Sequence, residues 1–167
     1  MIARKAEMKD FSVCCEILEE ARKNIAELGI DQWQNGSPSS EDLKIVIEKG
    51  DLYVAEDAEE IFGFCYIGFS GEPTYDRIYG GEWPNKEPFC VIHRVALKSE
   101  ARGKGVFSFL VSFARKLAKS KDFHALRIDT HRDNVKMKSA LKKNGFQPCG
   151  IIYLENGEER IAFQQNI

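Results

Sequence analysis

Apolar positions along the chain follow two periods, about two residues and about 3.6, and each change of period marks an element boundary. Ile2 to Glu7 reads as a short first strand. Asp10 stands where it would cap a helix whose stripe is Cys14, Ile17, Leu18, Ala21, Ile25 and Leu28, with Gly29 ending it. Residues 30–38 form a loop, and Ser39 or Ser40 caps a second short helix with Leu43, Val46 and Ile47 inward. Leu52 to Glu56 and Ile61 to Phe69 read as hairpin strands turning at Asp57–Glu60. Residues 70–88 hold Gly71, Pro73, Gly80, Gly81, Pro84 and Pro88, and read as one long loop of the kind that carries function.

Phe89 to Leu97 is apolar on both faces except for His93 and Arg94, which predicts a central strand. After Gly105 a strong helix turns Val106, Phe107, Leu110, Phe113, Ala114 and Leu117 inward. Ala125 to Thr130 is another strand. Asn134 opens a helix with Met137, Ala140 and Leu141, ended by Asn144-Gly145. Phe146 to Leu154 and Arg160 to Gln165 close the chain as strands about Asn156-Gly157, a type I′ hairpin signal. The pattern predicts an α/β (α+β) fold: a mixed central sheet of about seven strands, with a parallel pair, flanked by helices. No linker or repeat interrupts it, so residues 1–167 read as one domain.

Composition narrows the class. With 43% hydrophobic and 30% charged residues, the chain is neither disordered nor collagen-like. No stretch approaches the ~18 apolar residues of a membrane span, and the first residues lack a signal-like run, so a cytoplasmic protein without membrane contact is expected. The five cysteines, Cys14, Cys15, Cys65, Cys90 and Cys149, are odd in number and show no CxxC spacing. They read as reduced thiols, and no metal site is expected.

The net charge of −2 conceals an asymmetry. From Arg94 to Lys143 there are 14 Lys and Arg against 4 Asp and Glu, and the rest of the chain carries 10 against 22. Such a split suits a ligand with an anionic end and a cationic end. A nucleic-acid partner would want aromatic residues interleaved with that basic stretch, and its strands lack them; none is expected.

The chemistry concentrates at the turn between the central strand and the helix after it. There Arg102, Gly103, Lys104 and Gly105 stand at a helix N-terminus, where N–H groups are unpaired and the dipole is positive. This combination binds anions, above all a phosphate or pyrophosphate. It is not a Walker loop, because GxxxxGK followed by Ser or Thr is absent, and Ser108 breaks the GxGxxG dinucleotide pattern.

The run Val95-Ala-Leu-Lys-Ser-Glu-Ala-Arg-Gly-Lys-Gly resembles the acetyl-CoA-binding motif of GNAT-type N-acetyltransferases, Gln/Arg-x-x-Gly-x-Gly/Ala. Asn134-Val-Lys-Met-Lys-Ser-Ala-Leu-Lys-Lys-Asn-Gly-Phe resembles that family's second signature, and the element order agrees along nearly the whole chain. The resemblance implies an acyl-CoA N-acyltransferase-like fold, with a bulged central strand splaying from its parallel neighbour around the pantetheine arm. It implies acetyl-CoA as acyl donor, with Val95 and Leu97, flanking Ala96, pairing with the pantetheine amides. The N–H groups of Arg102, Gly103, Lys104, Gly105, Val106 and Phe107 would hold the pyrophosphate, Ser108 could add a hydroxyl, and Asn134 would meet the pantetheine arm. Two positions depart from the pattern: Phe107 is bulky where the family is small, and Leu141 stands where the family often has a proton-donating Tyr.

Attack of an amine on a thioester requires an unprotonated nitrogen, and alkylamines are cations at pH 7. His93 in the central strand is the candidate general base, with a core histidine as the bland alternative. His131 is second choice, with capping the simpler role, and His124 reads as structural. Trp33, Tyr75, Tyr79 and Trp83, with Glu72, Asp76 and Glu82 near them in sequence, could receive a cationic amine from a small molecule or peptide. The expectation is therefore acetyl transfer from acetyl-CoA to a primary amine, with a homodimer permitted. A non-catalytic acyl-CoA-binding or sensor domain is the alternative that Leu141 raises.

Overall fold

The computed structural model describes every residue from Met1 to Ile167. Seven strands and four helices alternate in the predicted order. They are β1 (Ile2–Lys5), α1 (Phe11–Glu27), α2 (Ser40–Lys49), β2 (Leu52–Asp57), β3 (Glu60–Gly68), β4 (Phe89–Leu97), α3 (Val106–Ser120), β5 (Ala125–Thr130), α4 (Val135–Lys143), β6 (Gln147–Tyr153) and β7 (Glu159–Asn166). The strands form one mixed sheet in the order β1-β2-β3-β4-β5-β7-β6, so β4 is its central strand. No helix is long and apolar enough to cross a membrane.

The chain divides into two compact units, and β4 and α3 run from one into the other. The first comprises Met1–Ile67 and Arg94–Leu110. Its core gathers Cys14, Ile17, Leu18 and Ala21 of α1, Leu43, Val46 and Ile47 of α2, and Leu52, Val54, Ile61, Phe64 and Ala96 of the sheet. The expected α1 stripe holds over its first three turns, but Leu28 lies beyond the last turn and is exposed. Asp10 does not cap α1 through its side chain. Its carboxylate instead accepts from Arg4 at 2.7 and 3.0 Å and from the Glu7 N–H at 2.8 Å. Ser39 does cap α2, in a reciprocal box with Asp42. The β2–β3 hairpin turns on Ala58 and Glu59, both at positive φ.

The second unit comprises Gly68–His93 and Val111–Ile167. Here β4 pairs with β5 in parallel, from Phe89↔Ala125 to Val91↔Arg127. β5 pairs antiparallel with β7, and β7 with β6. The closing hairpin departs from the expected two-residue turn. The Leu154 N–H bonds the Glu158 carbonyl, and only Gly157 takes a positive φ, so three residues make the connection. The segment read as a 70–88 loop contains a 3₁₀ turn at Pro73–Tyr75 and a bridge from Tyr79 to Ile151. Along α3 the buried positions are Val106, Leu110, Val111, Ala114 and Ala118, whereas Phe107, Phe113 and Leu117 are half-buried. Val111 and Ala118 extend the stripe by i+4 and i+7 steps that the larger side chains obscure in the sequence.

Candidate active site

In the first unit, the turn between β4 and α3 is built from short local bonds. Ala101 N–H bonds Lys98 O, Arg102 N–H bonds Ser99 O, and Lys104 N–H bonds Ala101 O, at 3.0, 3.2 and 3.3 Å. Ser99 ties this turn to α1: its N–H donates to Glu20 at 2.9 Å, and its hydroxyl accepts from Asn24 at 2.9 Å. Ala101 is buried beneath it. Gly103 and Gly105 sit at φ of 75° and 81°. A Cβ at either would meet nothing within 4 Å, so backbone conformation rather than space calls for glycine. The first helical bond of α3 runs from Phe109 N–H to Gly105 O at 2.9 Å. The N–H groups of Val106, Phe107 and Ser108 thus precede the helical ladder, at the positive end of the dipole. Arg102 and Lys104 beside them are exposed. The donor set fits a phosphorylated ligand: backbone N–H groups at a helix N-terminus with two exposed cations.

Upstream in the same unit, β4 is half-buried at Val95 and Leu97, and Ala96 is buried. Arg94 begins this half of the strand at φ of 51°, a left-handed conformation uncommon for a non-glycine residue. Its guanidinium reaches the Asp42 carbonyl at 3.4 Å. Trp33, at φ of 66°, packs against the core of this unit while its carbonyl accepts from Arg22.

In the second unit, His93 ends its half of β4 within a cluster of polar groups. His93 Nε2 lies 3.0 Å from Glu72 Oε2. Nδ1 of the same ring lies 3.7 Å from Asp129 Oδ2 on β5. The other oxygen of Glu72 accepts from the Thr74 N–H at 3.3 Å and its hydroxyl at 3.0 Å, so the carboxylate is held on both sides. The hydrogen bond from His93 holds the Glu72 carboxyl down at about 2, so it is ionised throughout the neutral range. Tyr75 is 1% exposed and donates its hydroxyl to Asp129 Oδ2 at 2.7 Å. Burial, then the charge of Asp129, pushes the phenol well above its ordinary value, so it keeps its proton and stays a donor. Its ring stands edge-on to His93 at 5.7 Å.

Arg127 secures this segment from β5. Its guanidinium lies 4.0 Å from the centre of the Trp83 ring and 3.9 Å from that of Phe89. Its Nε donates to Gln164 at 2.8 Å and its Nη2 to the Asn85 carbonyl at 3.1 Å. Burial lowers its pKa to about 10. Trp83 in turn donates to the Tyr75 carbonyl at 2.9 Å. A continuous chain of contacts therefore runs from β5 through Trp83 and Tyr75 to the turn that carries Glu72.

The structure brings together His93, Tyr75 and Trp83 among the expected residues, but in different roles from solvent-facing rings. Tyr75 is buried and its hydroxyl is taken by Asp129, so it forms the wall behind His93. Tyr79 is exposed and stacks edge-on with Tyr153 at 5.3 Å. Asn134 caps α4 by accepting from the Met137 N–H at 3.1 Å. His131 orders the turn before it: its Nδ1 accepts from the Asp133 N–H at 3.1 Å. His124 is exposed beside Asp122. Leu141 is fully buried. Asp129 and Arg127 were not singled out by the sequence reading. The signal available was two charges at i and i+2 of one interior strand, which places them on one face.

The acetyltransferase (GNAT) family model matches residues 14–146. The chain belongs to that family. Streptothricin acetyltransferase of Escherichia coli is 28% identical over 100 residues, 59% of this chain, and the match spans only 56% of that relative's length. A GNAT-family acetyltransferase of Streptococcus agalactiae is 30% identical with a TM-score of 0.87, over 99% of this chain and 95% of that one. The PaiA N-acetyltransferase of Thermoplasma acidophilum, solved in complex with coenzyme A, has a TM-score of 0.74 at 20% identity, over 99% of this chain and 98% of that one. At that identity the likeness is one of fold.

Proposed function

We propose that this protein transfers an acetyl group from acetyl-CoA to a primary amine, with His93 as the general base. The observation that carries the reading is His93, pinned by Glu72 and facing Asp129, on the central strand of a GNAT-family chain. A histidine held by one carboxylate and faced by another keeps a fixed ring orientation, which supports a proton-transfer role.

The residues fit the donor. Val95 and Leu97 would pair through their backbone with the pantetheine amides. The N–H groups of the Arg102–Ser108 run, with Arg102 and Lys104, would neutralise the pyrophosphate, and Asn134 would contact the arm. Acetyl-CoA supplies an activated thioester carbonyl. His93 takes one proton from the acceptor ammonium and frees its lone pair. The amine nitrogen then bonds the carbonyl carbon, and the carbon–sulfur bond breaks. The second proton lost by nitrogen ends on the departing thiolate, and the proton held by His93 returns to solvent. With Leu141 buried and apolar, no side chain at that position can protonate the thiolate. A thiol pKa of ~8.5 makes water sufficient for that task.

The acceptor is expected to be a cationic amine, matching the acidic Glu72 and Asp129. Streptothricin is the first to try, since the 28% identical relative is named for it. A panel of amines, peptides and aminated antibiotics, assayed with acetyl-CoA for release of free thiol and for acetylated product by mass, tests the reading. An acceptor that gains one acetyl group per thiol released supports it. Tight acetyl-CoA binding with no acceptor turned over would favour a sensor.

A further inference from the structure

We propose that Glu20 and Asn24 of α1 are positioning residues for the acyl donor: by holding Ser99 they set the shape, and with it the affinity, of the turn that takes the pyrophosphate. This rests on the donor seat proposed above for the Arg102–Ser108 run. Glu20 and Asn24 stand at i and i+4, so they share one face of the helix. Both reach the same residue, Ser99, across 79 and 75 positions of sequence. Glu20 Oε1 accepts the Ser99 N–H at 2.9 Å, and Asn24 Nδ2 donates to the Ser99 hydroxyl at 2.9 Å. Hydrogen bonding from Ser99, first from its side chain and then from its N–H, holds the Glu20 carboxyl below its ordinary value, so it accepts as an anion at pH 7.

Ser99 is the root of the donor turn. Its carbonyl accepts the Arg102 N–H at 3.2 Å, and the Lys98 carbonyl accepts the Ala101 N–H at 3.0 Å. The Lys98 N–H is itself fixed on the Phe62 carbonyl of β3 at 2.9 Å. β3 therefore holds one side of the root and α1 the other. Beyond the root, the Lys104 N–H returns to the Ala101 carbonyl at 3.3 Å, and a Cβ at Gly103 or Gly105 would meet nothing within 4 Å. Packing does not fix these glycines, so the path of the turn is set by its two ends, Ser99–Ala101 and the start of α3. Release of Ser99 lets the Arg102 and Lys104 N–H groups take other directions, and ordering them again opposes binding. The charge of Glu20 works against an anionic ligand, since its charged neighbours include Arg102 and Lys98. A carboxylate beside a pyrophosphate seat is thus explained by the hydrogen bond that it accepts, not by its charge.

The test measures acetyl-CoA binding to the full chain by titration calorimetry, and the backbone amide exchange of the unliganded protein by nitrogen-15 NMR. Glu20→Ala should weaken acetyl-CoA about tenfold, the usual weight of one hydrogen bond to a charged group. Asn24→Ala, which loses a neutral bond, should weaken it about threefold. Glu20→Gln keeps an accepting Oε1 and removes the negative charge, so its Kd should stay within about twofold of the wild type or fall below it. In unliganded Glu20→Ala the Arg102 amide should exchange faster than in the wild type, and Glu20→Gln should restore the slower rate. A tie that served the fold alone would lower Tm and leave Kd untouched. A folded Glu20→Ala protein with the wild-type Kd would therefore overturn the proposal, as would Glu20→Gln binding as weakly as Glu20→Ala. A wild type that binds no acetyl-CoA would instead refute the donor reading and the affinity half of the proposal. The Arg102 exchange then decides alone whether α1 holds the turn, and an unchanged rate in Glu20→Ala refutes that.

Discussion

Replacing Tyr75 by Phe removes one oxygen atom from the wall behind His93 and leaves the rest of the side chain in place. The ring keeps its neighbours: Trp83 at 5.3 Å, Phe89 at 6.4 Å and His93 at 5.7 Å. What is lost is a 2.7 Å hydrogen bond to a carboxylate, at a tyrosine only 1% exposed. Bonds to charged groups contribute about 1.5–3 kcal/mol, and water has little room to replace this one. For a chain of 167 residues each kcal/mol shifts Tm by roughly 2–4 °C, so a drop of about 3–12 °C is expected. Urea unfolding should give the same loss with an unchanged m-value, because the exposed surface is unaltered. Turnover should also fall, since Asp129 no longer has a fixed orientation toward His93. A loss below about 0.5 kcal/mol would show that Asp129 is satisfied without Tyr75 and would refute the reasoning.

Acetyl-CoA at 100 times its Kd should stabilise the fold by about 2.7 kcal/mol and raise Tm by roughly 5–10 °C, whereas an equal shift with ATP would mark a generic phosphate site. Lys104→Glu, at an exposed position, should weaken acetyl-CoA binding at least tenfold and leave the unliganded Tm nearly unchanged; undiminished binding would remove this turn from the cofactor seat. Because the Glu72 carboxyl is lowered from 4.5 to about 2 in the folded state, its contribution is fully present above pH 4.5 and is lost as pH falls through about 2. The stability gap between wild type and Glu72→Gln, followed by urea titration, should therefore narrow as pH falls below 4.5. Gly81→Ala should destabilise the second unit measurably by denaturant titration, because its Cβ would fall 2.0 Å from the Cys149 carbonyl oxygen, a backbone atom that cannot swing aside.

The strand and helix order was legible because periodicity is local: β4 and β5 fall at 89–97 and 125–130, as the apolar runs indicate. Boundaries failed where tertiary partners decide. Asp10 has the chemistry of a cap but sits within reach of Arg4, and a guanidinium outcompetes the helix end for its carboxylate. Asn156-Gly157 carries a two-residue turn signal, yet Asn156 stays at negative φ because the Leu154–Glu158 bond closes a longer connection. Of the site, His93 stood out as a polar residue inside an apolar strand. Glu72 was visible only as an acidic loop residue, and its pairing with His93 depends on how the turn at Pro73–Tyr75 is held. Asp129 meets Tyr75 across 54 positions of sequence, a distance over which no spacing rule operates.

The most direct test of the central claim is turnover per folded molecule of His93→Ala with acetyl-CoA and a verified amine acceptor, alongside its Tm. As the base, His93 should be worth roughly 10²–10⁴-fold in turnover, with acetyl-CoA affinity nearly unchanged, because the ring meets the amine rather than the donor. A folded His93→Ala protein that turns over at the wild-type rate would contradict the account.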